Sequence, residues 1–382
     1  MPSRRFAPLL LAMLTLTGLA AAGCGRIARP DGWAAPLPAG DLVIAGRDDR
    51  LVALRDGAAL WVFPAKEDRN AIRPVAFYGN PAPDRSGEYV YVPIYEKSVF
   101  RLRVADGAIA GRKETKGVVV GGVAVGDDAV YFGDGSGRVY AMTPDLSQER
   151  WTFEAEDRVW STPVLVDGLV VVTSLDGKVY GLDEATGERR WVFEADAGIA
   201  GTPALASDRL FVPAMDSRLY ALDAESGQAL WSFTAGNWFW GTPVVQGGVV
   251  YAASLDGRVY ALDAATGAER WRYDTGAPVR AAPALVEGSL VVANRAGRVV
   301  ALDPANGSER REPVEVGERV LADVVPLDDG TALIATTKNR LVRFDPAEGV
   351  RASVDIPKDV GTPTAEATPT PEASPTAGQT GR

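Results

Sequence analysis

The side chains in this sequence that could do chemistry are aromatic, cationic and acidic. The stretch TAGNWFWGTPVV, residues 234–245, places Trp238, Phe239 and Trp240 side by side. The 382-residue chain has no histidine and a single cysteine, Cys24. Without histidine, a Ser–His–Asp triad, a His general base and a His-ligated metal site are all excluded. The aromatic stretch therefore points to binding, by a protein interface or a sugar-stacking surface, rather than to catalysis.

Aspartates recur in two sets, and their carboxylates are the remaining groups that could hold a cation. The first set lies in short turns and comprises Asp134, Asp176, Asp216 and Asp256. The second set opens the pattern D-x-x-(T/S/N)-G and comprises Asp183, Asp223, Asp263 and Asp303. An aspartate in such a turn accepts hydrogen bonds from the backbone. We interpret both sets as turn residues and predict no metal site; a weak cation site in the first set is the alternative.

The elements that position these residues follow from an internal repeat. Four segments align without gaps: GKVYGLDEATGERRWVFEA, SRLYALDAESGQALWSFTA, GRVYALDAATGAERWRYDT and GRVVALDPANGSERREPVE. Equivalent residues of successive copies are Leu51, Val99, Val139, Val179, Leu219, Val259, Val299 and Leu341. The step between copies is 40 residues from Val99 to Val299, 48 before that stretch and 42 after it. This spacing predicts eight copies, or seven if the first is incomplete.

Each copy is predicted to form four short strands. In residues 162–195 the runs TPVLV, LVVVTS, KVYGLD and RRWVFEA are separated by turns that contain glycine, and such connections are hairpin signals. The third run is apolar on both faces, which indicates a sheet packed between two other sheets. Four-stranded sheets repeated around an axis with a period near 40 form a β-propeller. The sequence therefore predicts an all-β, eight-bladed propeller of four-stranded antiparallel blades.

Proline and tryptophan each recur at one position of the repeat. Proline lacks a ladder donor and is predicted to open the innermost, edge strand of a blade, at Pro74, Pro163, Pro203, Pro243 and Pro283. The fourth strand carries a tryptophan that is predicted to dock between adjacent blades, at Trp61, Trp151, Trp191, Trp231 and Trp271. The second blade lacks this tryptophan, the seventh has Arg311 in its place, and the eighth is degenerate. Truncating one docking ring to alanine should cost about 3–5 kcal/mol.

The aromatic stretch falls on a crossing from one blade to the next. Three residues before the blade-opening proline, successive copies carry Trp160, Ala200, Trp240 and Arg280. Five residues before it, they carry Arg158, Gly198, Trp238 and Pro278. Since alanine and glycine suffice in one copy, the repeat does not need bulk at these positions. We therefore predict a partner-binding patch at the channel mouth, formed by Arg158, Trp160, Trp238, Trp240 and Arg280. Channel-mouth packing is the alternative for Trp160 and Trp240, and Phe239 is predicted to face the core.

The two ends of the chain predict export and anchoring. A basic start and an apolar run have the layout of a secretory signal, and its end, LAAAGC, resembles a bacterial lipobox with Ala21 in place of the usual leucine. We predict lipidation of Cys24; cleavage near Ala22 or an uncleaved anchor are the alternatives. The tail is rich in Pro and Thr and is predicted to be disordered. The predicted order is a lipoprotein signal peptide over 1–23, a tether over 24–32, the propeller over 33–356 and the tail over 357–382.

The motif VYALDAATGxxxW, with TP opening the next blade, resembles the pyrroloquinoline-quinone-like (PQQ-like) repeat. That repeat occurs in quinone-dependent dehydrogenases and in cofactor-free lipoproteins of the BamB family, which belong to the outer-membrane β-barrel assembly machinery. Similarity to the dehydrogenases would imply adjacent cysteines and a calcium site beside the quinone or, in shorter members, a histidine base. The chain has one cysteine and no histidine. The resemblance therefore implies a BamB-like protein that binds neither PQQ nor calcium.

The sequence as a whole predicts a lipid-anchored, non-catalytic scaffold that binds envelope proteins. We expect a monomer that is exported and faces the periplasm or the cell exterior. A net charge of −10 argues against nucleic acid as a partner. A cell-surface propeller that binds a small ligand or a glycan is the main alternative, and a PQQ-dependent dehydrogenase is a minor one.

Overall fold

The structure, a computed structural model, describes residues 32–66, 68, 72 and 76–361. This part of the chain forms eight four-stranded antiparallel sheets, each built from four strands that are consecutive in sequence. The sheets are the blades of a ring, which confirms the predicted all-β, eight-bladed propeller. The predicted signal peptide, Cys24 and the tail from residue 362 lie outside the described residues. Across the part that is described, no helix is long and apolar enough to cross a membrane.

The first four blades follow one another along the chain. Blade 1 consists of β1 (Leu37–Ala39), β2 (Leu42–Arg47), β3 (Arg50–Arg55) and β4 (Ala58–Phe63). Blade 2 consists of β5 (Ala82–Pro83), β6 (Tyr89–Ile94), β7 (Ser98–Arg103) and β8 (Ile109–Glu114). Blade 3 consists of β9 (Ala124–Val125), β10 (Val130–Gly133), β11 (Arg138–Met142) and β12 (Glu149–Glu154). Blade 4 consists of β13 (Val164–Val166), β14 (Leu169–Thr173), β15 (Lys178–Asp183) and β16 (Arg189–Glu194).

The last four blades repeat the same strand order. Blade 5 consists of β17 (Ala204–Ala206), β18 (Arg209–Pro213), β19 (Arg218–Asp223) and β20 (Ala229–Thr234). Blade 6 consists of β21 (Val244–Gln246), β22 (Val249–Ala253), β23 (Arg258–Asp263) and β24 (Glu269–Asp274). Blade 7 consists of β25 (Ala284–Val286), β26 (Ser289–Ala293), β27 (Arg298–Leu302) and β28 (Val314–Glu315). Blade 8 consists of β29 (Val325–Pro326), β30 (Ala332–Ala335), β31 (Arg340–Asp345) and β32 (Gly349–Asp355).

The middle strands of a blade are buried on both faces because each blade packs between two neighbours. In β14, Val170 and Val172 belong to the apolar cluster shared with blade 3. Val171, between them, belongs to the cluster shared with blade 5. This two-sided burial explains why the second and third strands are continuous apolar runs rather than alternating ones.

The five fourth-strand tryptophans lie at blade junctions, against the turn between the third and fourth strands of the next blade. A Cβ added to Gly307 of blade 7 would lie 2.6 Å from the indole of Trp271 in β24. Gly307 has a φ of +74°, which glycine adopts without steric cost. The Nε1 of Trp271 donates to the Pro304 carbonyl at 2.9 Å. The other indole–glycine pairs are Trp61 with Gly107, Trp151 with Gly187, Trp191 with Gly227, and Trp231 with Gly267.

Where the tryptophan is missing, other side chains take its space. In a regular blade the cross-strand partner of the tryptophan is small, as Ala261 is for Trp271. In blade 7 the guanidinium of Arg311 lies against Gly349 of blade 8, in the place of an indole. Two blades exchange the large and small members of the cross-strand pair: Arg101 with Gly111 in blade 2, and Arg343 with Ala352 in blade 8.

The ring closes between blades 8 and 1 through packing and hydrogen bonds. Leu341 of β31 and Ile356 share an apolar cluster with Val52 of β3. The Nδ2 of Asn339, after β30, donates to the Oδ1 of Asp48, after β2, at 3.1 Å, and the Oδ1 of Asn339 accepts from the Asp48 amide at 3.2 Å. Polar side chains therefore bridge the closing junction beside its apolar cluster.

The positions of the first strands correct one prediction. In blade 2 the first strand begins at Ala82, so Pro81 opens it and Pro74 does not. Pro74 itself lies outside the described residues. In blade 1 the same position is held by Pro36, directly before β1. The prediction failed here because the step between the first two copies is 48 residues, so a proline inside the longer connection was aligned with the blade-opening ones.

Candidate functional site

Eight side chains, one from each blade, surround the mouth of the central channel. Each lies three residues before the position that opens the first strand of its blade. These residues, here called the inner ring, are Trp33, Tyr78, Val120, Trp160, Ala200, Trp240, Arg280 and Leu321. The cavity that they line has a volume of about 80 Å³. The channel mouth is therefore largely filled by side chains.

Arg280 is held between two aromatic side chains of the inner ring. Its guanidinium carbon lies 3.8 Å from the ring centroid of Trp33 and 4.7 Å from that of Trp240. Its Nη1 donates to the Leu321 carbonyl at 3.2 Å. Burial lowers the pKa of Arg280 to about 10, although the carboxylate of Asp323 acts in the opposite direction. Because this cation has lost much of its solvent, the two indoles supply part of its stabilisation.

The sequence prediction missed four members of the inner ring: Val120 and Leu321, whose blades do not open on a proline, and the two aromatic residues Trp33 and Tyr78. The backbone amide of Trp33 donates to the Phe77 carbonyl at 3.1 Å. The rings of Trp33 and Tyr78 have their centroids 4.1 Å apart. The signal that could have found them is a proline three positions later, Pro36 and Pro81, which the irregular spacing of the first two copies obscured.

The other two residues of the predicted patch, Arg158 and Trp238, lie in an outer ring. Outer-ring positions are five residues before the strand opening, and their carbonyls accept hydrogen bonds from the turn between the second and third strands. The carbonyl of Trp238 accepts from Leu255, and that of Arg158 from Leu175, each at 2.9 Å. Trp238 is 40% exposed, and Arg158 is exposed with its guanidinium carbon 5.8 Å from the Trp160 ring. The predicted patch is thus divided, and the members that fill the mouth are Trp160, Trp240 and Arg280.

Phe239 lies between the two rings in sequence and points into a blade junction. It is 1% exposed and packs edge-on against Tyr260, with ring centroids 6.1 Å apart. Its backbone pairs with Ser254 in an isolated bridge. This burial confirms the predicted core placement of Phe239. Successive side chains along the crossing point in alternate directions, so Trp238 and Trp240 are not buried in the same junction.

Half-buried apolar side chains accompany Trp238 over three consecutive blades. The turn residues whose amides bond the outer ring are Leu175 in blade 4, Met215 in blade 5 and Leu255 in blade 6, all half-buried. The equivalent residues elsewhere include Gly135 in blade 3, Arg295 in blade 7 and Thr337 in blade 8. We call Trp238, Leu175, Met215 and Leu255 the blade 4–6 arc. The arc belongs to one side of this face and is not a property of every repeat.

The turn aspartates surround the same face, but hydrogen bonds already engage their oxygens. Asp256 accepts from the backbone amides of Gly236 and Arg258 and from the hydroxyl of Tyr260 at 2.5 Å. Burial first, and this hydrogen bond second, raise the pKa of Tyr260. The same pattern recurs at Asp176 and Asp216. Within the described ranges, no group of three or more Asp, Glu, His or Cys residues is placed to hold a metal ion.

The PQQ-like repeat raises the question of whether the channel mouth fits a quinone. Sites for small molecules usually enclose about 300–1,000 Å³, whereas the cavity inside the inner ring measures about 80 Å³. Arg280, with Trp33 and Trp240 on either side, occupies the space that such a group would need. The residues present at the mouth therefore do not fit a quinone cofactor.

Comparison with known proteins places this geometry among related propellers. The family described as outer membrane protein assembly factor BamB matches residues 95–201 and 195–314. The crystal structure of BamB from Moraxella catarrhalis is 18% identical and has a TM-score of 0.67, with 81% of this chain and 92% of that chain covered. The computationally designed Ika8 protein is 15% identical and has a TM-score of 0.69, with 80% and 94% covered.

These matches differ in what they establish. No curated protein matches the sequence, whereas 1758 chains of known structure match the fold. A fold shared so widely hosts many functions, so the two structural matches show the architecture alone. The family match is the more informative finding, because it spans more than half of the chain.

Proposed function

Because the chain belongs to the family of outer membrane protein assembly factor BamB, we propose that it is a non-catalytic, protein-binding scaffold of the cell envelope. The proposed contact surface is the blade 4–6 arc with Arg158 at its edge. The inner ring, with Arg280 at its centre, supports this surface from beneath. The partner is an envelope protein, and the propeller acts as a monomer.

The exposure of Trp238 is the observation that carries this proposal. Trp238 is 40% exposed, and the neighbouring crossings place Gly198 and Pro278 at the same position. The fold therefore closes without a large ring there. An exposed indole with half-buried apolar side chains on the same face is typical of the central residues of protein interfaces.

We also propose that the chain has no enzymatic activity and uses neither PQQ nor calcium. The absence of histidine removes the usual general base from the whole chain. The turn carboxylates near the channel are engaged by backbone amides and tyrosine hydroxyls. The small cavity at the mouth supports the same conclusion.

The proposed anchor is a lipid on Cys24 that holds the propeller at a membrane, facing the periplasm or the cell exterior. Stable anchoring needs more than one acyl chain, since a single chain binds a bilayer only marginally. We expect Cys24→Ser to move the protein from the membrane fraction to the soluble fraction. If the wild-type chain incorporates no labelled fatty acid, the anchor is wrong.

The test of the scaffold compares Trp238→Ala with Leu230→Ala. Leu230 is 46% exposed on the outer strand β20, so both variants remove an exposed apolar side chain. Each should change the free energy of unfolding by no more than about 0.5 kcal/mol, as surface substitutions usually do. Trp238→Ala should lose a defined envelope protein that the wild type co-purifies from solubilised membranes, while Leu230→Ala should retain it.

The same two variants separate the scaffold from its main rival. Equal retention of the partner by both variants would place the interface elsewhere on the propeller. An exposed indole can also stack on a sugar, so a glycan-array signal that Trp238→Ala abolishes, without any captured protein, would favour a glycan-binding propeller.

A further inference from the structure

A second cavity lies between blades 7 and 8, remote from the channel mouth. Its volume is about 760 Å³, within the range of about 300–1,000 Å³ that is usual for small-molecule sites. Blade 7 contributes its first-to-second-strand turn, with Glu287, and its third-to-fourth-strand turn, with Asp303. Blade 8 contributes the matching two turns, with Asp329 and Asp345. We call this space the blade 7–8 cavity.

The cavity exists because the junction lacks two side chains that fill the junctions after blades 4, 5 and 6. The first residue of the second strand faces the next blade, and it is Leu169 in blade 4, Arg209 in blade 5 and Val249 in blade 6. Leu169 and Val249 pack into apolar clusters with the next blade, and Arg209 donates to the Ala264 carbonyl of blade 6 at 2.8 Å. In blade 7 this residue is the much smaller Ser289.

The second missing side chain is the docking tryptophan. Arg311 holds its place and lies against Gly349 of blade 8. The fourth strand of blade 7 is reduced to Val314–Glu315 and begins directly after Pro313. The outer edge of the junction is consequently less covered than in the blades with a six-residue fourth strand.

Ser289 supplies a buried polar group that faces the cavity. Val291, two residues along the same strand, packs in the cluster that blade 7 shares with blade 8. Leu290, the residue between them, packs toward blade 6. Alternation therefore directs Ser289 toward blade 8, where it lines the cavity. It is 2% exposed, and its hydroxyl makes no hydrogen bond to any other residue that the structure describes.

The walls of the cavity are predominantly acidic. Five carboxylates line it, from Glu287, Asp303, Asp329, Asp345 and Glu348, against the guanidinium groups of Arg310 and Arg351. Arg310 pairs with Asp303 at 3.3 Å, and Arg351 is shared between Asp345 and Glu348 at 2.5 and 3.2 Å. Arg343 reaches Asp329 from outside the lining.

One of these carboxylates has no cation of its own. Glu287 forms no ion pair with another residue in the described part of the chain. It lies on the blade 7 wall, opposite the acidic turns of blade 8. Acidic groups therefore face the cavity from both blades, with the unpartnered hydroxyl of Ser289 at its base.

We propose that the blade 7–8 cavity is a binding site for a small organic cation that carries two or more ammonium groups. Carboxylates on both walls pair with separated ammonium groups, and the Ser289 hydroxyl accepts a hydrogen bond from one of them. A compact inorganic cation is a poorer match, because no three carboxylates are close enough to ligate one among the described residues.

The test is calorimetric titration of the purified propeller with spermidine, at low ionic strength and at 150 mM salt. Binding should be saturable, with one site, and should weaken as salt screens the carboxylates. Ser289→Val restores the side chain that Val249 provides at the blade 6–7 junction and leaves the charge unchanged. It should weaken binding by at least about tenfold, equivalent to about 1.4 kcal/mol.

Two charge variants provide the matched control. Glu287→Gln removes a carboxylate from the cavity and should weaken binding by about two- to fivefold, as expected for a partly exposed ion pair. Glu225→Gln removes an exposed carboxylate from the third-to-fourth-strand turn of blade 5, away from the cavity, and should leave binding unchanged. Both variants are expected to melt like the wild type, so they keep the test decisive if Ser289→Val folds poorly.

Three results would overturn the proposal. One is wild-type protein that takes up no spermidine at millimolar concentration. Another is folded Ser289→Val that binds as well as the wild type. The third is equal weakening by Glu287→Gln and Glu225→Gln, which would mean that spermidine follows the net negative charge and not the cavity. None of them bears on the blade 4–6 arc, which lies on a different surface.

Discussion

The docking tryptophans and the inner ring are the two regions where this propeller concentrates large side chains, and the repeat uses them differently. At the junctions, one residue type recurs with one partner type, as in Trp271 with Gly307 and Trp231 with Gly267. At the mouth, equivalent positions carry residues as different as Trp240, Ala200 and Arg280. The first region meets the same packing demand in each regular blade. The second region has no common packing requirement, because side chains from all eight blades converge on a single site, the channel mouth.

This difference separates the side chains that stabilise the ring from those that make one part of its surface unlike the rest. A docking tryptophan has its indole against the next blade and, at Trp271, its Nε1 on a carbonyl of that blade. Trp238 leaves 40% of its surface exposed, although it belongs to the same kind of repeat. Departures from the repeat at exposed positions are therefore the better guide to function, and regular positions are the better guide to stability.

The largest expected effect comes from Trp271→Ala. Removing an indole from a blade junction should lower the free energy of unfolding by about 3–5 kcal/mol, because the turn at Gly307 cannot collapse into the space. Denaturant melts of Trp271→Ala and Trp238→Ala compare the free energies of unfolding of the two variants directly. Equal destabilisation by the two variants would mean that Trp238 is also a packing residue.

A smaller effect is expected from Gly307→Ala, with Gly248→Ala as its control. Both glycines have a φ of +74°, so both substitutions carry the same backbone strain of about 1–2 kcal/mol. Only at Gly307 would the new Cβ meet an indole, at 2.6 Å, whereas nothing lies within 4 Å at Gly248. Gly307→Ala should therefore lose about 1–3 kcal/mol more than its control. The same loss in both variants would show that the indole can shift freely.

The smallest effect is expected at the inner ring, from Arg280→Met. Replacing a poorly solvated cation with an apolar side chain of similar length is often neutral or stabilising, so we expect a change below about 1 kcal/mol. Because burial depresses the folded-state pKa of Arg280 to about 10, its desolvation penalty is fully present at pH 7, where the melts should be made. A loss as large as that of Trp271→Ala would show that the cation–aromatic stack holds the ring together.

Much of the fold could be predicted from the sequence, because the residue pattern of each repeat indicates its own strands and turns. The equivalent residues from Leu51 to Leu341 all lie second in the third strand of their blades, as in β15 and β23. The errors occur where the spacing is irregular. Pro74 was aligned in place of Pro81 because the first two copies are 48 residues apart, and the same irregularity hid Tyr78.

The site was harder to predict because its geometry depends on closure of the whole ring. The sequence groups Trp160, Trp240 and Arg280 by their position in the repeat, but it does not show that Arg280 of blade 7 reaches Trp33 of blade 1. That contact joins two residues that are 247 positions apart in the sequence. The division of the predicted patch into a filled mouth and an exposed arc arises from this convergence.

In the proposed scaffold, one side of the channel-mouth face recognises a partner. Site-specific photo-crosslinking in cells tests it most directly, with a photoreactive residue placed in turn at each outer-ring position that leads into blades 4 to 8. Those positions are Arg158, Gly198, Trp238, Pro278 and Arg319. We expect crosslinks to one envelope protein from the first three positions, strongest at Trp238, and none from Arg319. Equal crosslinking from all five positions, or crosslinking only from an outer-strand position such as Leu230, would contradict it.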